Sequence, residues 1–131
     1  MKPPRVVGLV LCKSFDIDPA VGELNLTGVF HSLAFAAWPT PAQRFVAFAA
    51  LHGGRGDGRI ELAVTRLETE ESIYLYQYWY TVPDPDLIVN LEIKVRRCIF
   101  PAPGRYGFSL RFEDKELAYH PLDVRSLRGN R

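Results

Sequence analysis

Residues 73–80 read Ile73-Tyr74-Leu75-Tyr76-Gln77-Tyr78-Trp79-Tyr80. Aromatic and β-branched side chains suit a pleated, half-buried surface, and the alternation has period two, so the stretch predicts a β-strand. That period sends Ile73, Leu75, Gln77 and Trp79 to one face and Tyr74, Tyr76, Tyr78 and Tyr80 to the other. A ladder of four tyrosines is either a second packing surface or a binding platform, since tyrosine joins a large rigid contact area to a polar tip. Trp79 is expected to anchor the strand, which leaves the tyrosine face to meet a partner.

The same signature extends on both sides. No window shows a convincing run at helical spacing, and apolar alternation recurs between Gly, Pro, Asp and Asn punctuation. Strands are expected over 6–13, 24–36, 44–52, 59–67, 73–80, 87–99, 106–112 and 117–124. The first and third are apolar on both faces, hence central or covered. In 87–99, Leu87, Val89, Leu91, Ile93 and Val95 alternate with Asn90, Glu92, Lys94 and Arg96, core against water. The segment 14–23, with Pro19 and Gly22, reads as a loop, Gly28 suggests a bulge, and Pro121 marks the last strand as an edge. About eight strands of this kind give an all-β, antiparallel two-sheet sandwich, with a closed β-barrel as the alternative.

At 131 residues the chain is expected to be one domain, 1–131. A charged fraction of 24% and a hydrophobic fraction of 47% exclude a disordered chain. The net charge of +1 gives no overall field for steering nucleic acid or an anionic membrane. Arg125, Arg128 and Arg131 make a local exception and suggest a basic tail over 125–131. The start, Met1-Lys2-Pro3-Pro4-Arg5 before Val6 to Cys12, imitates a signal peptide, but Lys13, Asp16 and Asp18 follow a short apolar run with no small-residue cleavage site. It reads as a buried first strand of a cytoplasmic protein with no membrane span. Cys12 and Cys98 lie in strand-like runs and read as buried thiols, with an inter-sheet disulfide as the alternative.

Three stretches carry a resemblance: Gly22-Glu23-Leu24-Asn25-Leu26-Thr27-Gly28-Val29-Phe30, the glycine-rich turn Gly53-Gly54-Arg55-Gly56-Asp57-Gly58, and Phe100-Pro101-Ala102-Pro103-Gly104-Arg105-Tyr106. Together they resemble a family of small bacterial proteins known as a domain of unknown function, over nearly the whole chain. The resemblance implies an immunoglobulin-like β-sandwich. It carries over no catalytic residue, because these motifs are turn and strand chemistry.

Candidate sites follow from loop placement. If each connection reverses the chain, Asp16, Asp18, Asp57, Asp84, Asp86 and Asp114 share one end. The pairs Asp16/Asp18 and Asp84/Asp86 are then a candidate calcium site of the kind C2 sandwiches use, although Asp beside Pro and Gly is also ordinary turn chemistry. Arg55-Gly56-Asp57 lacks the lysine and the helix of a phosphate loop and reads as a hairpin. His31, His52 and His120 have no zinc-ligand spacing. Arg96 and Arg97 stand beside Cys98 and could lower its pKa. Nothing assembles an acid, a base and a nucleophile, so no catalytic residue is assigned; an enzyme working at the Asp-rich end with His52 is a distant alternative. The expected function is a non-enzymatic protein-binding or assembly module that captures a partner or a second copy through Tyr74, Tyr76, Tyr78 and Tyr80, with Trp38 nearby. It needs no cofactor, calcium apart. Nucleic acid would enter only if Lys94, Arg96 and Arg97 adjoin the tyrosines.

Overall fold

The computed structural model describes residues 2–18, 20–21 and 23–127. Among these residues there is no helix. The strands are β1 (Arg5–Cys12), β2 (Ser14–Asp18), β3 (Glu23–Thr27), β4 (Ser32–Phe35), β5 (Gln43–His52), β6 (Asp57–Arg66), β7 (Glu71–Thr81), β8 (Ile88–Cys98), β9 (Gly104–Phe112) and β10 (Lys115–Ser126). They form a five-stranded sheet β4-β10-β9-β6-β7, a three-stranded sheet β1-β5-β8 and the hairpin β2-β3. Pairing is antiparallel except between β10 and β4. The larger sheet curls into a half-barrel, and the closed barrel does not form because β7 and β8 belong to different sheets.

Strand alternation supplies the main core. Ile60, Leu62 and Val64 of β6, Tyr106, Phe108 and Leu110 of β9, and Leu122 and Val124 of β10 join Leu11, Phe45, Leu91, Ile93 and Val95 of the smaller sheet. Phe108 and Phe45 meet across the layers with ring centroids 5.8 Å apart. A second, smaller core lies on the outer face of the three-stranded sheet, where Cys12, Val46 and Phe48 are covered by Val10, Phe15, Leu24 and Leu26. The β2-β3 hairpin is therefore a flap over that sheet, which is why β5 is apolar on both faces, while β1 is buried only at its end, at Leu11 and Cys12.

That flap corrects two expectations. Segment 14–23 contains β2, and the single strand expected over 24–36 is two strands, β3 and β4. The break is at Gly28, whose φ of +70° suits glycine and where a Cβ would come within 2.8 Å of Lys13 Cγ. The chain turns there from the flap to the edge of the larger sheet, so among the described residues ten strands replace eight.

Other differences have local causes. Leu87 is 59% exposed, while Leu91, Ile93 and Val95 are buried as expected. Near the end of β8 the alternation slips by one residue: Gln43 pairs with Cys98 and Phe45 with Val95, which leaves Arg96 and Arg97 in a bulge. Arg97 takes φ 61°, and the extra residue lets Val95 and Cys98 both reach the core. Pro121 is not on an edge strand, because β10 has a neighbour on each side. Pairing with β4 begins only at Asp123, however, so the missing N–H of Pro121 falls where that side of β10 is still open. Arg125 belongs to β10 and forms an ion pair with Asp123 at 2.7 Å, so the tail does not start there; Arg128 and Arg131 lie outside the described residues.

Candidate functional site

β7 runs beside β6 with Tyr74 opposite Val64, Tyr76 opposite Leu62, Tyr78 opposite Ile60 and Tyr80 opposite Gly58. Val64, Leu62 and Ile60 are fully buried, so the tyrosines share the core side of the sheet. The opposite face points to solvent: Leu75 is 52% and Trp79 63% exposed, and Trp79 Nε1 donates to Asp57 Oδ2 at 3.2 Å. Trp79 therefore does not anchor the strand. The tyrosines do, but incompletely, because β7 is the last strand of its sheet. Tyr74, Tyr78 and Tyr80 are half-buried against the core and Tyr76 is 44% exposed.

What meets the tyrosines is β8. Its outward side chains Glu92, Lys94 and Arg96 line one groove together with Tyr74, Tyr76 and Tyr78, with a volume of about 580 Å³. The backbone N–H of Arg96 donates to the Tyr74 hydroxyl across the seam at 3.5 Å. The Tyr76 and Tyr78 rings lie 5.5 Å apart at 45°. Burial, then Tyr76, Tyr80 and Glu92, hold the Tyr78 hydroxyl above the usual tyrosine range, and burial does the same for Tyr80. Both hydroxyls are thus protonated at neutral pH and can donate as well as accept. An aromatic wall faced by two cations and one carboxylate can hold a flat or extended ligand.

A second concavity of about 520 Å³ opens on the other side of β8. Lys13 and Phe15 at the base of the flap, Arg44 at the start of β5, and the same Lys94 and Arg96 line it.

The remaining expected residues fall elsewhere. Trp38 packs on Phe35 of β4, with centroids 5.9 Å apart, and β4 and β7 are opposite ends of the five-stranded sheet. Asp16 and Asp18 stand on β2, opposite Asn25 and Glu23. Asp84 caps its own turn through Asp86 N–H at 2.9 Å, and Asp18 does likewise with Ala20 N–H at 2.9 Å. Among the described residues, no three His, Cys, Asp or Glu side chains gather in a metal-binding arrangement. The predicted sharing of one end holds for Asp57 with the turns that carry Asp84, Asp86 and Asp114: Val82 N–H reaches Gly56 O at 3.0 Å and Glu113 N–H reaches Arg59 O at 3.0 Å.

Cys12 and Cys98 are free and buried. Burial raises the Cys98 thiol to about 12, opposite to the effect expected from its arginine neighbours, and raises that of Cys12 as well. The sequence did not show that His31 stacks on His120, with centroids 5.5 Å apart and planes 13° apart, because a parallel β4-β10 contact leaves no local signal. Burial, then His31, lowers the pKa of His120.

Comparison with known proteins adds a family. The chain belongs to a family of unknown function (DUF6941), matched over residues 8–125. No curated protein matched. Among the described residues no helix is long and apolar enough to cross a membrane.

Proposed function

We propose that this member of a family of unknown function is a non-enzymatic binding module whose contact surface is the seam between β7 and β8. The observation that carries the reading is the groove itself: two sheet edges face one another without pairing, and Tyr74, Tyr76 and Tyr78 stand there opposite Glu92, Lys94 and Arg96. Half-buried tyrosines beside cations suit recognition, because Tyr74 and Tyr78 are already fixed by the core and lose little freedom on binding, while Tyr76 offers its exposed ring. The proposed site keeps Tyr74, Tyr76, Tyr78 and Tyr80 and sets Trp38 aside.

The architecture is read as an immunoglobulin-like sandwich, with the five- and three-stranded sheets as its layers. Tyr106 supports this: near the start of β9, its hydroxyl donates to Ala102 O at 2.6 Å, four residues upstream, in the tyrosine-corner manner of such sandwiches. Two free, buried cysteines fit the cytoplasm of a bacterium. Self-assembly through the same seam is the neighbouring reading, and light scattering on the wild type and Tyr76→Ser reads it. The test of the surface itself is photo-crosslinking. A crosslinker replacing Tyr76 should capture a partner in cells that make the protein, and one replacing Trp79 on the opposite face should not. Capture from position 79 alone would overturn the proposal.

A further inference from the structure

The four cations Lys13, Arg44, Lys94 and Arg96 come from three distant parts of the chain. In the three-stranded sheet Val46 lies between Cys12 on one side and Lys94 on the other. Lys13 follows Cys12, Arg44 lies two residues before Val46, and Arg96 lies two residues beyond Lys94 toward the same end. The register of β5 with β8 thus sets Arg96 beside Arg44, where the bulge begins. Like charges adjacent across a strand pair cost stability, so the arrangement needs a reason.

Among the described residues, no carboxylate lines the concavity that these side chains enclose. The ion pairs among the described residues are Arg66–Glu68 and Arg125–Asp123, so none of the four has an acidic partner there. Lys13 is held in place by its surroundings: its N–H donates to Thr27 O at 3.0 Å, its stem passes Gly28, and its ammonium is 4.9 Å from the Phe30 ring centroid. Four cations around a bowl of about 520 Å³ form a site for a polyvalent anion.

Lys94 and Arg96 also line the tyrosine groove, so the bowl and the seam are the two flanks of one strand. We propose that this double site takes a nucleotide, with its phosphate in the Lys13–Arg44–Lys94–Arg96 bowl and its base against Tyr76. The inference rests on the seam being the contact surface and names what occupies it. Every base offers a flat face to an aromatic ring, and phosphates supply the charge that the four cations lack. Glu92 fixes the polarity, because it lines only the seam and turns a phosphate toward the bowl. An acidic peptide strand added to β8 fits less well, since the Tyr74 hydroxyl already occupies the Arg96 N–H at that edge.

The nucleotide can be part of a single strand or free, and the test separates these sources. Fluorescence anisotropy is measured with a labelled single-stranded oligonucleotide of about 8 nucleotides, with adenosine monophosphate and inorganic phosphate as competitors. Between about 50 and about 200 mM salt, the oligonucleotide affinity should fall roughly 7- to 50-fold, as expected for two to four neutralised phosphates. Lys94→Glu should weaken binding at least about tenfold and Tyr76→Ser about fivefold or more. Binding of the monophosphate alone, with the same dependence on both variants, assigns the site to free nucleotides and supports the proposal.

Inorganic phosphate competing as well as the monophosphate, with Tyr76→Ser binding like wild type, would overturn it. So would binding of a phosphorylated peptide with no binding of either nucleotide form. Thermal unfolding guards against misfolded variants: Lys94→Glu relieves repulsion and should melt no lower than the wild type. Crosslinking from position 76 without nucleotide binding would sink this inference and leave the contact surface standing; failure of both would remove both.

Discussion

The backbone N–H of Arg96 reaches the Tyr74 hydroxyl at 3.5 Å, a long hydrogen bond between two strands that are not otherwise paired. It marks where the half-barrel nearly closes. A tyrosine side chain occupies the place of the next strand, and the gap that runs from that contact toward Tyr78 and Glu92 is the groove. The tyrosines therefore pack on the core and, in the proposed reading, also meet a ligand, and the two roles separate residue by residue.

Tyr76 and Tyr78 should respond differently to truncation. Tyr78 is half-buried against the core, so Tyr78→Ser should cost about 2–4 kcal/mol. Tyr76 is 44% exposed, and Tyr76→Ser should cost no more than about 1 kcal/mol. Urea unfolding of the two variants measures this, and equal losses would place Tyr76 in the core.

The bulge at Arg97 makes a backbone prediction. Its φ of 61° lies in the left-handed region, where glycine is unstrained and a β-branched residue is not. Arg97→Gly should be neutral or stabilising by up to about 1 kcal/mol, and Arg97→Val should destabilise by about 1–3 kcal/mol. Thermal unfolding of both variants checks the sign.

Cys98 should be inert in the native protein. It is fully buried and burial holds its thiol near 12, so the reactive thiolate is scarce at neutral pH. A chromogenic disulfide reagent should find neither cysteine accessible before denaturation and both afterwards. Rapid native labelling of Cys98 would contradict the packing.

Acid should weaken the fold through His120. Its folded pKa is lowered, first by burial and then by His31, so the unfolded chain binds that proton more readily. The contribution is complete above the ordinary value of about 6.5, is lost as the pH falls through it, and levels off below the folded value. The groups around the pocket are His31, Arg105 and Asp123, the last already engaged by Arg125. Urea midpoints from about pH 7.5 to about pH 5 should drop for the wild type and drop less for His120→Gln.

Much of this was legible in the chain. Ile60, Leu62 and Val64, or Tyr106, Phe108, Leu110 and Phe112, alternate so cleanly that strand and inner face are fixed together. The double apolarity of β5 correctly signalled a covered strand, whereas β1, an edge strand, is buried only at Leu11 and Cys12 and leaves Val7 64% exposed; the cover itself was hidden, because β2 carries Asp16 and Asp18 and looks like a loop until Phe15 is seen against Phe48 at 6.3 Å. For β7 the strand was legible and its orientation was not. Both faces are aromatic, and only the opposition of Tyr76 to Leu62 shows which one is inward. The cationic bowl was invisible because Lys13, Arg44 and Lys94 meet only through strand register.

The most direct test of the central claim, that the β7–β8 seam is the contact surface, is site-specific photo-crosslinking compared between positions 76 and 79. These side chains leave opposite faces of one strand, so expression and fold are shared and only the surface differs. A crosslinked species should form from position 76, diminish with Lys94→Glu, and be absent from position 79. Equal crosslinking from both positions, or from position 79 alone, would contradict the claim.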